Sequence, residues 1–114
     1  MRTNFRMEYE NIAMIKGDTL SFNVEVFDQS GAPMTVDTAF FTVKKNIGSD
    51  EPTFQLSMNN GITYVDDLLV VRVPPSATDT LEAGRYYYDL QLGVDDDIYT
   101  PMIGMLTIEQ DVTV

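Results

Sequence analysis

The sequence contains no cysteine, no histidine and no tryptophan, and it has few basic residues. Without cysteine, the chain can form neither a disulfide nor a thiolate metal site, and its redox compartment cannot be inferred. Without cysteine and histidine, it has no Ser-His or Cys-His pair for nucleophilic catalysis. No apolar run approaches the length of a membrane span. The first residues lack the apolar stretch of a signal peptide, so we expect synthesis and folding in the cytoplasm.

The charge of the chain is strongly acidic. Eighteen Asp and Glu residues oppose seven Lys and Arg residues, which gives a net charge of −11. Such a field repels phosphate backbones, so nucleic-acid binding is disfavoured. The remaining uses of the charge are solubility, attraction to a basic partner and capture of a divalent cation. With 114 residues, of which 44% are hydrophobic, residues 1–114 are predicted to form one domain, with a possible N-terminal arm (1–8) and a C-terminal tail (111–114).

Alternation of apolar and polar residues dominates the chain, and helical periodicity is nearly absent. Period-two alternation is typical of half-buried β-strands. A first weak strand is predicted over 9–15, and further strands follow over 20–26, 39–43 and 53–58. Asn60-Gly61 after the last of these predicts a β-hairpin. The apolar run 68–73 predicts a strand covered on both faces, and Pro-Pro stops it.

The stretch 79–92 carries the clearest fold signal. Leu81 and Gly84 form a bend, because glycine accepts a positive φ without a Cβ clash. A tyrosine just after this bend can bury its ring and return its hydroxyl to nearby backbone, as in immunoglobulin-like sandwiches. Ser76–Leu81 predicts a helical turn that Ser76 could cap. Pro101, inside the last strand, predicts an edge position or a bulge.

These patterns together predict an all-β fold, specifically an immunoglobulin-like antiparallel β-sandwich of about seven strands. The dry faces of the predicted strands define its core. The predicted core residues are Phe22, Val24, Phe41, Val43, Leu56, Val71, Tyr86, Tyr88, Leu90, Leu106 and Ile108.

The residues offer little for catalysis. A Ser-Lys pair is formally possible, but no spacing supports it. Glu25 and Asp89 could be imagined as a carboxylate pair for glycoside hydrolysis, although a chain this short rarely encloses a sugar cleft. Asp89 stands in an otherwise apolar strand, where Asp has a low β propensity. It either pairs across strands with Lys44, Lys45 or Arg72, or it is a recognition residue on a partner-facing sheet.

Two further sets of residues are candidates for binding. Asp95, Asp96 and Asp97 are weak calcium candidates, because calcium prefers several oxygen ligands; an acidic turn tip is the alternative explanation. Phe27, Phe40, Tyr87 and Tyr99 are predicted on the polar side of their strands, where exposed aromatics indicate an interface. The alternative is that the N-terminal segment covers this outer face. No cofactor is expected.

The chain resembles small structural proteins of tailed phages and prophages. The resemblance lies in Lys-Gly-Asp-Thr-Leu-Ser-Phe at 16–22, Phe-Thr-Val-Lys-Lys at 41–45, the stretch 79–91 with Leu-Glu-Ala-Gly-Arg-Tyr-Tyr-Tyr, and Gly-Met-Leu-Thr-Ile-Glu-Gln-Asp-Val-Thr at 104–113. These motifs are similar to the N-terminal domain of the baseplate upper protein of phages that infect Gram-positive bacteria. They cover most of the chain.

The resemblance implies a non-enzymatic virion protein with an immunoglobulin-like fold, present in several copies in a baseplate, tail or head. Its expected partners are other virion proteins and further copies of itself, with no nucleic acid and no membrane. It would be made in the cytoplasm of the bacterial host and end in the virion. Without a coiled-coil stalk or receptor-binding head, an adaptor or decoration role is favoured. The alternative is a β-sandwich module that binds carbohydrate or calcium.

Overall fold

The computed structural model describes residues 8–26, 35–65 and 68–110, which form nine strands and one helical turn. Phe27, Asp66, Asp67, residues 1–7 of the predicted arm and the tail 111–114 lie outside the described residues. Within these ranges, no helix has the length and apolarity needed to cross a membrane. The elements are β1 (Glu8–Tyr9), β2 (Ile12–Ile15), β3 (Leu20–Glu25), β4 (Thr38–Lys44), β5 (Phe54–Met58), β6 (Gly61–Val65), β7 (Leu68–Val73), α1 (Pro75–Thr78), β8 (Gly84–Val94) and β9 (Asp97–Glu109).

The strands form one continuous, nearly closed, barrel-like sheet. Its order is β1-β9-β8-β4-β5-β6-β7-β3, and β2 also pairs with β9. The all-β prediction is therefore confirmed, whereas the expected seven strands in two separate sheets differ from the nine strands in one sheet. The continuity comes from the junction between β5 and β6, where a hairpin was predicted.

The segment Asn59–Gly61 is a bend that carries the chain from one half of the sheet to the other. Asn59 and Gly61 have φ values of 65° and 98°. The following strand, β6, pairs with β5 in parallel over two residue pairs only and then forms an antiparallel ladder with β7. The hairpin prediction was wrong because a tight Asn-Gly hairpin turn needs positive φ at two consecutive residues, whereas here Asn59 and Gly61 have it and Asn60 between them does not.

The predicted first strand is present but interrupted. Both β1 and β2 run parallel to β9, with a break at Glu10 and Asn11. Side chains complete the ladder there: the Tyr88 hydroxyl donates to the Glu10 carbonyl at 2.7 Å, and the Met105 amide donates to Asn11 Oδ1 at 3.2 Å. A Cβ at Gly104 would collide with the Glu10 carbonyl. Glycine is therefore required for this close approach.

The bend before β8 has the predicted geometry. Gly84 has a φ of 147°, and the buried Tyr86 donates its hydroxyl to the Glu82 carbonyl at 2.8 Å. The helical turn α1 precedes the bend as expected, but Ser76 does not cap it. Pro74 occupies the N-cap position without a side-chain bond. Thr78 at the end of α1 is fully buried, and its Oγ1 accepts a 2.9 Å bond from the Gly17 amide.

The core lies between the two halves of the curved sheet. Phe41 on β4 packs against Phe22 on β3, with ring centroids 5.6 Å apart, and against Tyr88 on β8 at 5.3 Å. Since β3 and β4 are not neighbours in the sheet, the Phe22–Phe41 contact crosses the interior. Phe22 and Val24 are only half-buried, and the other predicted core residues are buried.

Two predictions about strand surroundings had different outcomes. Pro101 does lie at a bulge, because the register between β8 and β9 shifts between Leu90 and Leu92.

The two-sided covering predicted for β7 was wrong for the described residues. Arg72 is exposed on the outer face, and its outward neighbour Val70 is only half-buried. Apolar side chains therefore lie on that face without complete cover from the described part of the chain.

Candidate functional site

The outer surface of β4, β8 and β9 combines most of the side chains that the sequence marked as interface candidates. Cross-strand partners set its rows: Lys44 lies beside Tyr87, and Tyr87 lies beside Met105. In the next row Asp89 lies between Thr42 and Ile103. We call this surface the Asp89 face. It consists of Phe40, Thr42, Lys44, Tyr87, Asp89, Gln91, Ile98, Ile103 and Met105, with Tyr9 and Ile47 at its rim.

Exposed apolar side chains are concentrated on the Asp89 face. Five large hydrophobic residues are exposed among those described, and four belong to this face and its rim: Tyr9 (75%), Phe40 (38%), Ile47 (74%) and Ile98 (65%). Val65, at 60% exposure, lies at the far end of β6 in the other half of the sheet. Scattered apolar residues are normal on protein surfaces, but a concentration on one face indicates an interaction surface.

Asp89 is half-buried in the middle of this face. Burial raises the pKa of its carboxyl above the usual value, and the positive charge of Lys44 opposes the rise. Of the three proposed partners, only Lys44 acts on Asp89. Lys45 instead places its Nζ 4.5 Å from the centre of the Tyr86 ring, and Arg72 lies on β7 in the other half of the sheet.

A small groove of about 150 Å³ opens beside Asp89. Lys44, Ile47 and Tyr87 line it together with Ile103, and Gly104 contributes its backbone. Ile47 and Tyr9 were missed in the sequence. An isoleucine within an otherwise polar loop was the available signal for Ile47, and no comparable signal marked Tyr9.

Tyr99 does not join the predicted outward set. It pairs with the buried Leu92 and packs against the core, whereas its neighbour Ile98 is exposed. The bulge at Pro101 is the reason, because one extra residue reverses the alternation of the strand before it. Phe40 and Tyr87 do lie on the predicted side, and Phe27 lies outside the described residues.

The acidic tip between β8 and β9 is a tight turn. Asp95 has a φ of 55°, and its amide donates to Asp37 Oδ2 at 2.8 Å. The Tyr99 hydroxyl donates to Asp97 Oδ2 at 3.3 Å. In the described part of the chain, no group of three or more acidic side chains is arranged to hold a metal ion. A calcium role for Asp95, Asp96 and Asp97 thus stays a prediction.

The imagined carboxylate pair is not brought together. Glu25 is exposed on the outer face of β3, and Asp89 lies on the outer face of β8. Since β3 and β4 face each other across the core through Phe22 and Phe41, the two carboxylates point to opposite sides of the molecule. They cannot flank one glycosidic bond, which requires carboxyl groups within about 10 Å across a shared cleft.

A second and larger cleft, of about 460 Å³, lies at the bend between β5 and β6. Asn59, Asn60 and Thr63 line its polar side together with Arg72, and Leu56 and Val70 form apolar walls. Sequence reasoning did not indicate this cleft, because it depends on how β6 leaves β5.

Comparison with known proteins bears on the fold alone. No protein-family model and no curated protein matches the chain. Among 31 matching chains of solved structures is the endo-beta-1,4-mannanase from Thermotoga petrophila, with a TM-score of 0.56 and 13% sequence identity. The match covers 89% of this chain and 18% of the mannanase chain, so this chain spans about a fifth of that protein's length. At this identity the similarity establishes a shared all-β architecture.

Proposed function

We propose that this chain is a non-enzymatic structural or adaptor protein of a tailed phage or prophage virion, which acts through protein–protein contacts in a baseplate, tail or head. The concentration of four exposed large hydrophobic side chains on the Asp89 face and its rim is the observation that carries the proposal. Aromatic and apolar anchors of this kind become buried between subunits. The motif resemblance at 16–22, 41–45, 79–91 and 104–113 supports the virion assignment.

The proposal includes an immunoglobulin-like arrangement of the strands. One layer of this arrangement consists of β2, β9, β8, β4 and β5. The other layer consists of β6, β7 and β3. The antiparallel pairing of β3 with β7 and of β4 with β8 supports it, as does the Phe22–Phe41 contact across the interior. The bend at Asn59–Gly61 then joins the two layers at one edge.

The mechanism is burial of the Asp89 face, and of the strand edge next to it, against neighbouring subunits. The interrupted N-terminal strand β1–β2 forms the edge beside β9, and a neighbour could extend the sheet there. Such a protein would be made in the bacterial cytoplasm and become part of the virion. It would need neither a cofactor nor an active site.

Light scattering over the micromolar range tests the proposal. We expect an oligomer, or complex formation with a protein of the same virion, and weaker assembly in Phe40→Ser. Val65→Ser is the matched control, because it also removes an exposed apolar side chain but lies off the Asp89 face. A strictly monomeric protein that binds no component of its virion would contradict the proposal, as would equal effects of the two substitutions.

The alternative function is a module that binds carbohydrate or calcium. Its carbohydrate part would use the outward aromatic residues, and its calcium part would use the acidic residues 95–97. A ligand that binds only the folded state raises stability with the logarithm of its concentration. Melting temperatures measured across calcium concentrations and a glycan panel decide this alternative, and unchanged values would remove it.

A further inference from the structure

The carboxylate of Asp89 has an unusual position for a charged group. It lies on β8, with strands on both sides, between Thr42 on β4 and Ile103 on β9. It is half-buried, and no hydrogen-bond donor among the described residues reaches it. Burial of a carboxylate without donors is unfavourable, and burial raises its pKa accordingly.

Two polar neighbours of Asp89 make their hydrogen bonds to other residues. Lys44 donates its Nζ proton to the Ser49 carbonyl at 2.8 Å, which holds the loop after β4. Thr42, the direct cross-strand neighbour, accepts a 2.9 Å hydrogen bond from Gln55 Nε2 at its Oγ1. Within the described part of the chain, the carboxylate is compensated by solvent and by the positive charge of Lys44, which lines the same groove.

We infer that Asp89 is the docking point for a guanidinium or ammonium group on the partner surface that covers the Asp89 face. This inference rests on the proposed function and specifies the chemistry of the partner. A cation in the groove would give the carboxylate the charge-assisted bond that it lacks. The groove of about 150 Å³ is below the usual range for small-molecule pockets and suits a single long side chain.

The surroundings of the groove favour arginine over lysine. A guanidinium can stack its flat face on the Tyr87 ring while donating two hydrogen bonds to the carboxylate, which an ammonium cannot do. Ile47 and Ile103 on the two sides would contact the aliphatic part of the side chain. The net charge of −11 attracts a basic partner from a distance and raises the association rate.

A titration followed by amide NMR shifts tests the inference directly. The probe is N-acetyl-arginine N-methylamide, and its control is the citrulline analogue, which has the same shape without the charge. We expect saturable shifts at Thr42, Tyr87, Asp89 and Ile103 with the arginine probe, and affinity lower by about tenfold with citrulline, the size of a charge-assisted bond. Equal affinities for the two probes would overturn the inference.

The variant Asp89→Asn and its control Asp96→Asn remove the same charge at two places. Asp89→Asn should abolish the shifts, and Asp96→Asn, at the exposed tip, should leave them. Shifts confined to Asp95–Asp97 in the wild-type protein would mean that arginine follows the general negative field, and they would overturn the inference. These outcomes are independent of the oligomer measurement, so an oligomer that Phe40→Ser weakens can persist even if arginine does not bind at Asp89.

Discussion

The hydroxyl of Tyr88 donates a 2.7 Å hydrogen bond to the carbonyl of Glu10, a residue 78 positions earlier in the chain. The bond lies where the parallel ladder between the N-terminal strands and β9 is interrupted. At this break, the Glu10 carbonyl accepts its hydrogen bond from a side chain of β8, on the far side of β9, instead of from the backbone of β9. One buried side chain of β8 therefore helps to attach the N-terminal strand, beside its backbone bonds to β9.

Removal of this hydroxyl should loosen the N-terminal strand. We expect Tyr88→Phe to lower the free energy of unfolding by about 1–2 kcal/mol, because the Glu10 carbonyl loses its partner while the ring packing is retained. Denaturant unfolding measures the loss, and hydrogen exchange of the Glu10 amide, which donates to Ile103, reports where it occurs. Tyr87→Phe is the control, and equal behaviour of the two variants would argue against the tether.

The same hydroxyl predicts a loss of stability in alkaline solution. Burial, with a smaller contribution from Glu10, raises the pKa of Tyr88 to about 12. The folded state therefore holds this proton more tightly than the unfolded state, whose tyrosine has an ordinary pKa of about 10. Stability from this group is complete below about pH 10 and falls as the pH rises through about 12. From pH 9 upward, the free energy of unfolding should fall less steeply with pH for Tyr88→Phe than for Tyr87→Phe.

Asp89 should make the isolated protein less stable at neutral pH. Its folded pKa is raised, mainly by burial, so ionisation costs more in the folded than in the unfolded state. The contribution of Asp89 to stability is complete below the pKa that it has in the unfolded chain, and it falls as the pH rises through the pKa that it has in the folded protein. We therefore expect Asp89→Asn to be more stable than the wild type at pH 7, by less than about 1 kcal/mol because solvent screens a half-buried group.

Thermal unfolding of Asp89→Asn and the wild type at several pH values tests this prediction. The difference should shrink as the solution becomes acidic enough to protonate Asp89 in the wild type. Asp96→Asn is the control for the general effect of removing one negative charge from an acidic chain. A variant that is less stable than the wild type at every pH would show that the carboxylate makes a stabilising contact.

The bend between β5 and β6 should tolerate no side chain at Gly61. Its φ of 98° disfavours residues with a Cβ, and a Cβ there would stand 2.9 Å from Leu56 Cδ2. We expect Gly61→Ala to cost about 1–3 kcal/mol of unfolding free energy. Gly48→Ala is the matched control, because an added Cβ at Gly48 meets nothing within 4 Å. Equal stabilities of the two variants in denaturant would contradict the assigned conformation.

Local patterns in the sequence were sufficient for much of the fold. Alternation placed Ala39, Phe41 and Val43 in the core, and all three are buried. The bend at Gly84 and the bond from Tyr86 to the Glu82 carbonyl span only a few residues, so short-range sequence determines them. The outward positions of Phe40, Tyr87 and Asp89 follow from the same alternation, because successive side chains of a strand point to opposite faces.

Tertiary structure decided the features that depend on which strands become neighbours. The bulge at Pro101 turned Tyr99 inward and Ile98 outward, and at Gly61 the chain passes between the two halves of the sheet through two parallel residue pairs instead of an antiparallel hairpin ladder. Tertiary structure also decided that Lys44 donates its hydrogen bond to the Ser49 carbonyl, while its charge still acts on Asp89. Within uninterrupted strands, the sequence by itself determined which residues face the core, because burial there follows a period of two. Local sequence preferences are similar for several possible strand partners. Which distant strands pair is therefore decided by the packing of the whole chain.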